Sequence, residues 1–133
     1  MKYLLDTNSL SNSTLKKCKG RNDVFILEDI LEEYAFLNDE VLKIRNAGIK
    51  ILALEKRHID KMIEVLDVHG DNLELIRLYT SEGTGDIAML AYILSERDSP
   101  QTLFPEEYTL ITSDVALTDA STAYGIKCLT DLP

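Results

Sequence analysis

Asp6, Glu33, Asp86 and Asp114 are the residues with which this chain can do chemistry: four carboxylates far apart in sequence, each where a strand or helix should meet one rim of a sheet. Carboxylates gathered from such distant segments repel one another, by roughly 3 kcal/mol per pair at about 5 Å and an effective dielectric of about 20. A divalent cation that prefers hard oxygen ligands offsets that cost. The usual work of such a cation is hydrolysis at phosphate.

The elements that must position these acids are legible as apolar runs and helical patterns. Residues 2–5 and 24–27 are short apolar runs suited to buried parallel strands, and 49–54, 109–112 and 126–129 supply three more. Helical patterns fall near 9–19, 28–46, 56–68, 71–81, 85–97 and 114–124. Gly20, Gly48 and Gly125 close three of them, and Gly70 separates the pair at 56–68 and 71–81. This alternation predicts one domain spanning 1–133, a three-layer α/β/α sandwich with a mostly parallel sheet of about five strands. In right-handed strand-helix-strand units every helix begins beside the carboxyl ends of the strands, the rim where ligands bind. Asp6 closes the first strand and Asp114 follows the fourth, while Glu33 lies in the early turns of one helix and Asp86 in the first turn of another. Topology alone therefore brings all four to one rim.

Each residue also has a plainer reading. Asp6-Thr7-Asn8 after a strand suits a helix cap, although Asn8 or Ser9 can cap and leave Asp6 to the rim. Glu32 and Glu33 point about 100° apart on a helix, and the apolar stripe of Ile30, Leu31, Tyr34 and Leu37 favours Glu33 for the cleft. Asp86 shares a face with Met89, Leu90 and Ile93, and the helix dipole offers it a structural reason worth less than about 1 kcal/mol. Thr112-Ser113-Asp114, taken alone, is an ordinary strand-to-helix cap. Asp119 reads as a surface acid sooner than as a further ligand, and His58 and His69 read as surface histidines with no partner at ligand spacing. Gly83-Thr84-Gly85 is too short for a phosphate cradle, and there is neither a P-loop nor a nucleophile elbow.

Composition narrows the class. At 133 residues, 45% hydrophobic and 28% charged, the chain can bury one real core and gives no compositional case for disorder. No apolar run is long enough for a membrane helix, and the first residues meet a carboxylate too early for a signal peptide, so a cytoplasmic, soluble protein is expected. Cys18 and Cys128 lack metal-ligand spacing and read as idle thiols. The formal charge of -9 speaks against a plain nucleic-acid scaffold. It speaks less against a metal-dependent nuclease, in which cations neutralise four of the 23 acids. Lys16, Lys17, Lys19 and Arg21 form a basic stretch that either holds phosphates beside the acids or is a solvated helix face. Residues 97–108, with Pro100 and Pro105, form a connection long enough to be a lid, a contact surface or a surface excursion.

Several segments together resemble the PIN domain family of metal-dependent ribonucleases, which includes VapC-type toxins. Leu4-Leu5-Asp6-Thr7-Asn8 resembles the family's opening strand and first acid, and Ile30-Leu31-Glu32-Glu33-Tyr34 its second. Gly85-Asp86-Ile87-Ala88-Met89-Leu90-Ala91 is similar to the third-acid helix. Leu110-Ile111-Thr112-Ser113-Asp114-Val115-Ala116-Leu117 is similar to the fourth, with Tyr124-Gly125-Ile126-Lys127 leading to the last strand. The resemblance runs nearly the whole chain and implies that Asp6, Glu33, Asp86 and Asp114 bind one or two Mg²⁺ or Mn²⁺ ions, with Asn8 and Thr112 orienting the carboxylates. It further implies hydrolysis of RNA phosphodiesters by water, an antitoxin or a related RNA-processing context, and a homodimer.

Two other functions fit parts of the pattern. A catalytically silent PIN-like module that binds protein or RNA suits the acidic charge. A receiver-like phosphoacceptor domain also places acids beyond parallel strands, but it wants a Lys ending the last strand, where Lys127 instead opens it.

Overall fold

Apolar side chains at every position of Val24–Leu27 leave that segment no solvent face, so it can sit only where both sides are covered. The computed structural model describes residues 1–6, 9–28, 41–68, 85–98 and 107–133, with residues 12, 41–43, 68, 85 and 86 described through their backbone. In chain order these form β1 (Lys2–Leu5), α1 (Asn12–Cys18), β2 (Val24–Leu27), α2 (Val41–Asn46), β3 (Lys50–Leu52), α3 (Lys56–Val68), α4 (Gly85–Arg97), β4 (Tyr108–Ile111), α5 (Val115–Ala123) and β5 (Cys128–Leu129). The expected helix at 71–81, residues 29–40 of the helix expected at 28–46, and most of the connection 97–108 lie outside the described residues.

All five strands join one parallel sheet in the order β3-β2-β1-β4-β5. β1 runs beside β4 over four residue pairs, from Lys2 opposite Tyr108 to Leu5 opposite Ile111. Right-handed crossovers then put α1 and α2 on one face and α3, α4 and α5 on the other, the α/β/α layering expected from the alternation. On that second face α4 touches both α3 and α5. The order departs from the 2-1-3-4-5 arrangement of receiver-like domains, in which β1 lies beside β3.

The core follows from the strand pattern. Leu4, Leu5, Ile26, Leu27, Leu110 and Ile111 are fully buried in the sheet, and Ile87, Met89, Leu90 and Leu94 of α4 close over one face. Lys2, Leu4, Phe25 and Tyr108 share that face by strand alternation and register. An aromatic series runs out from it: Phe25 meets Tyr108 edge-on at 6.0 Å, Tyr108 meets Tyr92 of α4 at 5.6 Å, and Tyr92 stacks on His58 of α3 at 4.4 Å.

Helix ends obey their local signals. After α5 the amide of Gly125 donates to the Thr122 carbonyl and that of Ile126 to the Ser121 carbonyl, the paired bonds of a Schellman stop. The geometry needs the left-handed φ of 77° found at Gly125. Gly20 and Gly48 also have positive φ. α1 is capped by Ser11, whose hydroxyl accepts from the Thr14 amide, and not by Asn8 or Ser9 as anticipated. The Ser9 hydroxyl is used elsewhere, donating to the Ile111 carbonyl; Asn8 lies outside the described residues. Among the described residues no helix is long and apolar enough to cross a membrane.

Candidate functional site

The strand order reverses between β1 and β4, and at such a switch point the two outgoing chains diverge and leave a crevice at the carboxyl ends. Asp6 leaves β1 there, and Thr112 and Asp114 leave β4 there. Asp6 is only 3% exposed although it is an acid. Burying a carboxylate is costly unless polar groups meet it, and the surroundings supply them. Its amide donates to the Ile111 carbonyl at 3.0 Å, and its own carbonyl accepts from the Ser9 amide at 3.0 Å. The Thr112 hydroxyl donates to Asp6 Oδ2 at 2.7 Å.

Thr112 carries a second load. Its Oγ1 accepts from the Asp114 amide at 3.1 Å, so the hydroxyl proton is committed to Asp6 and the lone pair to Asp114. The residue therefore ties the two acidic segments together from a position 1% exposed to solvent. Replacing it with valine keeps the shape and removes both bonds. Thr112→Val is expected to lower stability by about 1–3 kcal/mol, because Asp6 loses a buried donor. Thermal melting measures this, and Thr112→Ser should recover most of the loss.

Asp114 is held differently. Its Oδ1 accepts from the Leu117 amide at 3.0 Å and caps α5, while its carbonyl accepts from Thr118. The plain capping reading of this acid is thus true of one oxygen. Oδ2 meets no donor among the described residues. At Asp6 the Thr112 hydroxyl meets the carboxylate, whereas at Asp114 it meets the amide, and the helix end holds the carboxylate.

Ser9 belongs to the same frame, which sequence reasoning missed. It is 8% exposed, and its hydroxyl donates at 2.9 Å to the Ile111 carbonyl that also receives the Asp6 amide. The signal available was a serine three residues after the strand-ending acid, where a second bridge to β4 can form.

Asp86 lies in the first turn of α4, with its backbone placed at the start of the helix as expected. Glu33, its neighbour Glu32, and Asn8 lie outside the described residues, as do His69, Gly70 and Gly83-Thr84. Among the described residues no three His, Cys, Asp or Glu side chains come together as a metal-holding group. Asp119 is exposed on α5, a surface acid.

The basic stretch is not beside the acids. α1 starts at the carboxyl rim and descends to the amino rim, so Lys16, Lys17, Lys19 and Arg21 fall at its far end and in the turn before β2. Lys17 binds Asp131 at 2.6 Å and holds that carboxyl below the ordinary carboxylate range. Arg21 binds Asp23, donates to the Pro133 carbonyl, and stacks its guanidinium over the Tyr3 ring. Those two cations anchor the C-terminal residues and the start of β2. Lys16 and Lys19 are exposed.

His58 overturns its surface reading. It is 1% exposed, because position 58 shares the core-facing stripe of α3 with Val65. Its Nδ1 accepts from the Glu55 amide at 2.8 Å and its Nε2 meets Glu96 at 2.8 Å. Arg57 joins the same Glu96 oxygen at 2.7 Å. The partners come from α4, which spacing near residue 58 could not disclose. Cys18 and Cys128 are both free, with thiols pushed up by burial, as idle cysteines should be.

No protein-family model matches the chain, and no curated protein matches it either.

Proposed function

We propose that the protein is a metal-dependent endoribonuclease that hydrolyses RNA phosphodiester bonds at the crevice beyond β1 and β4. The observation that carries this reading is Asp6: a nearly buried carboxylate at the switch point, oriented by the Thr112 hydroxyl that donates to its Oδ2. The donor chemistry suits Mg²⁺ or Mn²⁺, since Asp6 and Asp114 offer hard carboxylate oxygens and Asp114 Oδ2 meets no protein donor among the described residues. Asp6 and Asp114 would hold the ion, with Asp86 and Glu33 completing the set by the resemblance to PIN domains.

When bound, such an ion supplies positive charge where negative charge builds on the phosphodiester, and it acidifies water. The protein's part is preorganisation. Thr112 fixes the rotamer of Asp6, α5 fixes that of Asp114, and Ser9 clamps the two strand ends at a constant separation. Of the basic stretch we assign exposed Lys16 and Lys19 to RNA phosphates, along a strand that leaves the acids and follows α1 downward. We further propose a cytoplasmic location and, by the same resemblance, a homodimer that is silenced as a toxin by an antitoxin or acts in RNA processing.

The test is cleavage of a mixed RNA pool with Mn²⁺ and with EDTA, alongside thermal melting of the metal-free protein. Cleavage should require Mn²⁺. The melting temperature should rise on adding Mn²⁺, because the ion binds the folded form and relieves carboxylate repulsion. Cleavage that survives EDTA counts against the proposal. Stabilisation without cleavage would instead support a catalytically silent binding module.

A further inference from the structure

The end of the sheet opposite the crevice carries a cavity that the nuclease reading does not use. It is about 170 Å³ in volume and lies where β4 begins and the turn from α5 to β5 passes the last turn of α4. Ile93 and Ile126, both buried, line its inner part. Arg97, Glu107 and Lys127 line it from exposed positions and supply its charge. An apolar cavity of about 150 Å³ accepts a molecule of the size of benzene, so this one admits an apolar body of one small ring.

The charged side chains specify the rest of the ligand. Arg97 is already fixed, its Nη1 donating to the Tyr124 carbonyl at 2.6 Å and its Nε to Asp98 at 3.4 Å. Lys61 also holds Asp98, at 3.2 Å, so that carboxylate is shared between two cations. The Arg97 Nη2 meets no acceptor among the described residues, and neither Lys127 nor Glu107 forms an ion pair among them. A guanidinium anchored by two bonds loses little further freedom on binding an anion. Together with an ammonium it offers charge-assisted donors to a carboxylate. Two cations against the single acid Glu107 leave one positive charge in excess at the cavity, which suits a monoanion. A polyanion would meet repulsion from Glu107.

We propose that this cavity binds a small organic carboxylate, with an apolar body of about one ring against Ile93 and Ile126 and its charged group between Arg97 and Lys127. The site lies at the amino ends of β4 and β5, away from Asp6 and Asp114, and stands independently of the nuclease reading.

Titration of the isotope-labelled full chain with benzoate, followed by the NMR shifts of its amides, tests it. Benzoate should saturate the site with a dissociation constant on the order of 1 mM, as befits a ligand of about nine heavy atoms. The amides of Arg97, Gly125 and Lys127 should shift, and those of Asp6 and Asp114 should not. Benzamide carries the ring without the charge, and inorganic phosphate the charge without the ring; each should bind at least about fivefold more weakly. Lys127→Met should weaken benzoate binding about threefold and Glu107→Gln should tighten it about threefold, because one removes an attraction and the other a repulsion. Both side chains are exposed, so neither change should alter the melting temperature. Benzoate shifts that never saturate overturn the proposal, as does benzamide or phosphate bound as tightly as benzoate. Unchanged benzoate affinity in Lys127→Met and Glu107→Gln also overturns it, since the charges at the cavity then do not read the ligand.

Discussion

Asp6→Asn should reduce Mn²⁺-dependent RNA cleavage by at least about 10³-fold while leaving the fold intact. The substitution preserves size and the ability to accept from the Thr112 hydroxyl, so the bond at 2.7 Å survives in form. What it removes is a full negative charge at the strand end. If that charge anchors a cation, the loss falls on both cation affinity and the charge stabilisation of the transition state, and electrostatic effects of that kind commonly reach 10²–10³ or more. Structure-only roles predict a different pattern: activity would follow stability, and Asn, being isosteric, would cost little of either. Parallel measurement of cleavage rate, Mn²⁺-induced melting shift and far-UV circular dichroism separates the two. A variant that cleaves at wild-type rate would remove Asp6 from the chemistry.

The largest expected effect on stability lies away from the crevice. His58→Ala should lower stability by about 3 kcal/mol, or about 10 °C in melting temperature for a chain of this size. Three losses add. Glu55 accepts the first amides of α3 through its carbonyl, and the His58 ring returns a bond to the Glu55 amide, as the third helical residue does in a capping box. Without the ring that amide is orphaned, at a cost near that of a lost cap, about 1 kcal/mol. The stack on Tyr92 at 4.4 Å contributes about 0.5–1.5 kcal/mol more, and an alanine leaves a cavity in its place.

The bonding also identifies the tautomer. Nδ1 accepts from a main-chain amide and is therefore unprotonated, which leaves the ring proton on Nε2, facing Glu96. His58→Gln should recover about 1 kcal/mol, because glutamine at the third helical position can reach back to the Glu55 amide but cannot also stack on Tyr92. A His58→Ala protein that melts within 2 °C of wild type, roughly the resolution of such a comparison for this chain length, would mean that this cluster does not fasten α3 to α4.

Local rules account for what sequence reading recovered. Every one of the five strands lies where an apolar run predicted it, because a parallel strand covered on both faces must be apolar at nearly every position. The helices at 56–68 and 85–97 match their expected limits. Gly20, Gly48 and Gly125 stop helices for a reason confined to one residue, the absence of a β-carbon at positive φ. The gathering of Asp6 and Asp114 at one rim was also legible, since any parallel sheet sends its strand ends to the same side.

Pairings between distant elements account for what it did not recover. Lys17 and Arg21 look like a basic patch until α1 meets the C-terminal residues 114 and 112 positions away, where both are taken up by Asp131 and the Pro133 carbonyl. His58 looks like a polar surface residue until α4 supplies Tyr92 and Glu96. Thr112 is suggestive as an orienting residue, but only the register of β1 on β4 shows that its single hydroxyl joins the Asp6 carboxylate to the Asp114 backbone.

By itself, then, the chain determined its alternating strands and helices, the sites where helices stop, and the rim to which Asp6 and Asp114 go, because each depends on residues near one another in sequence and on the direction of a parallel sheet. Tertiary structure alone decided the order β3-β2-β1-β4-β5, the engagement of Lys17, Arg21 and His58, and the linkage of Asp6 to Asp114. Those depend on which surfaces come to lie a few ångströms apart, and hydrogen bonds and ion pairs act only over that range.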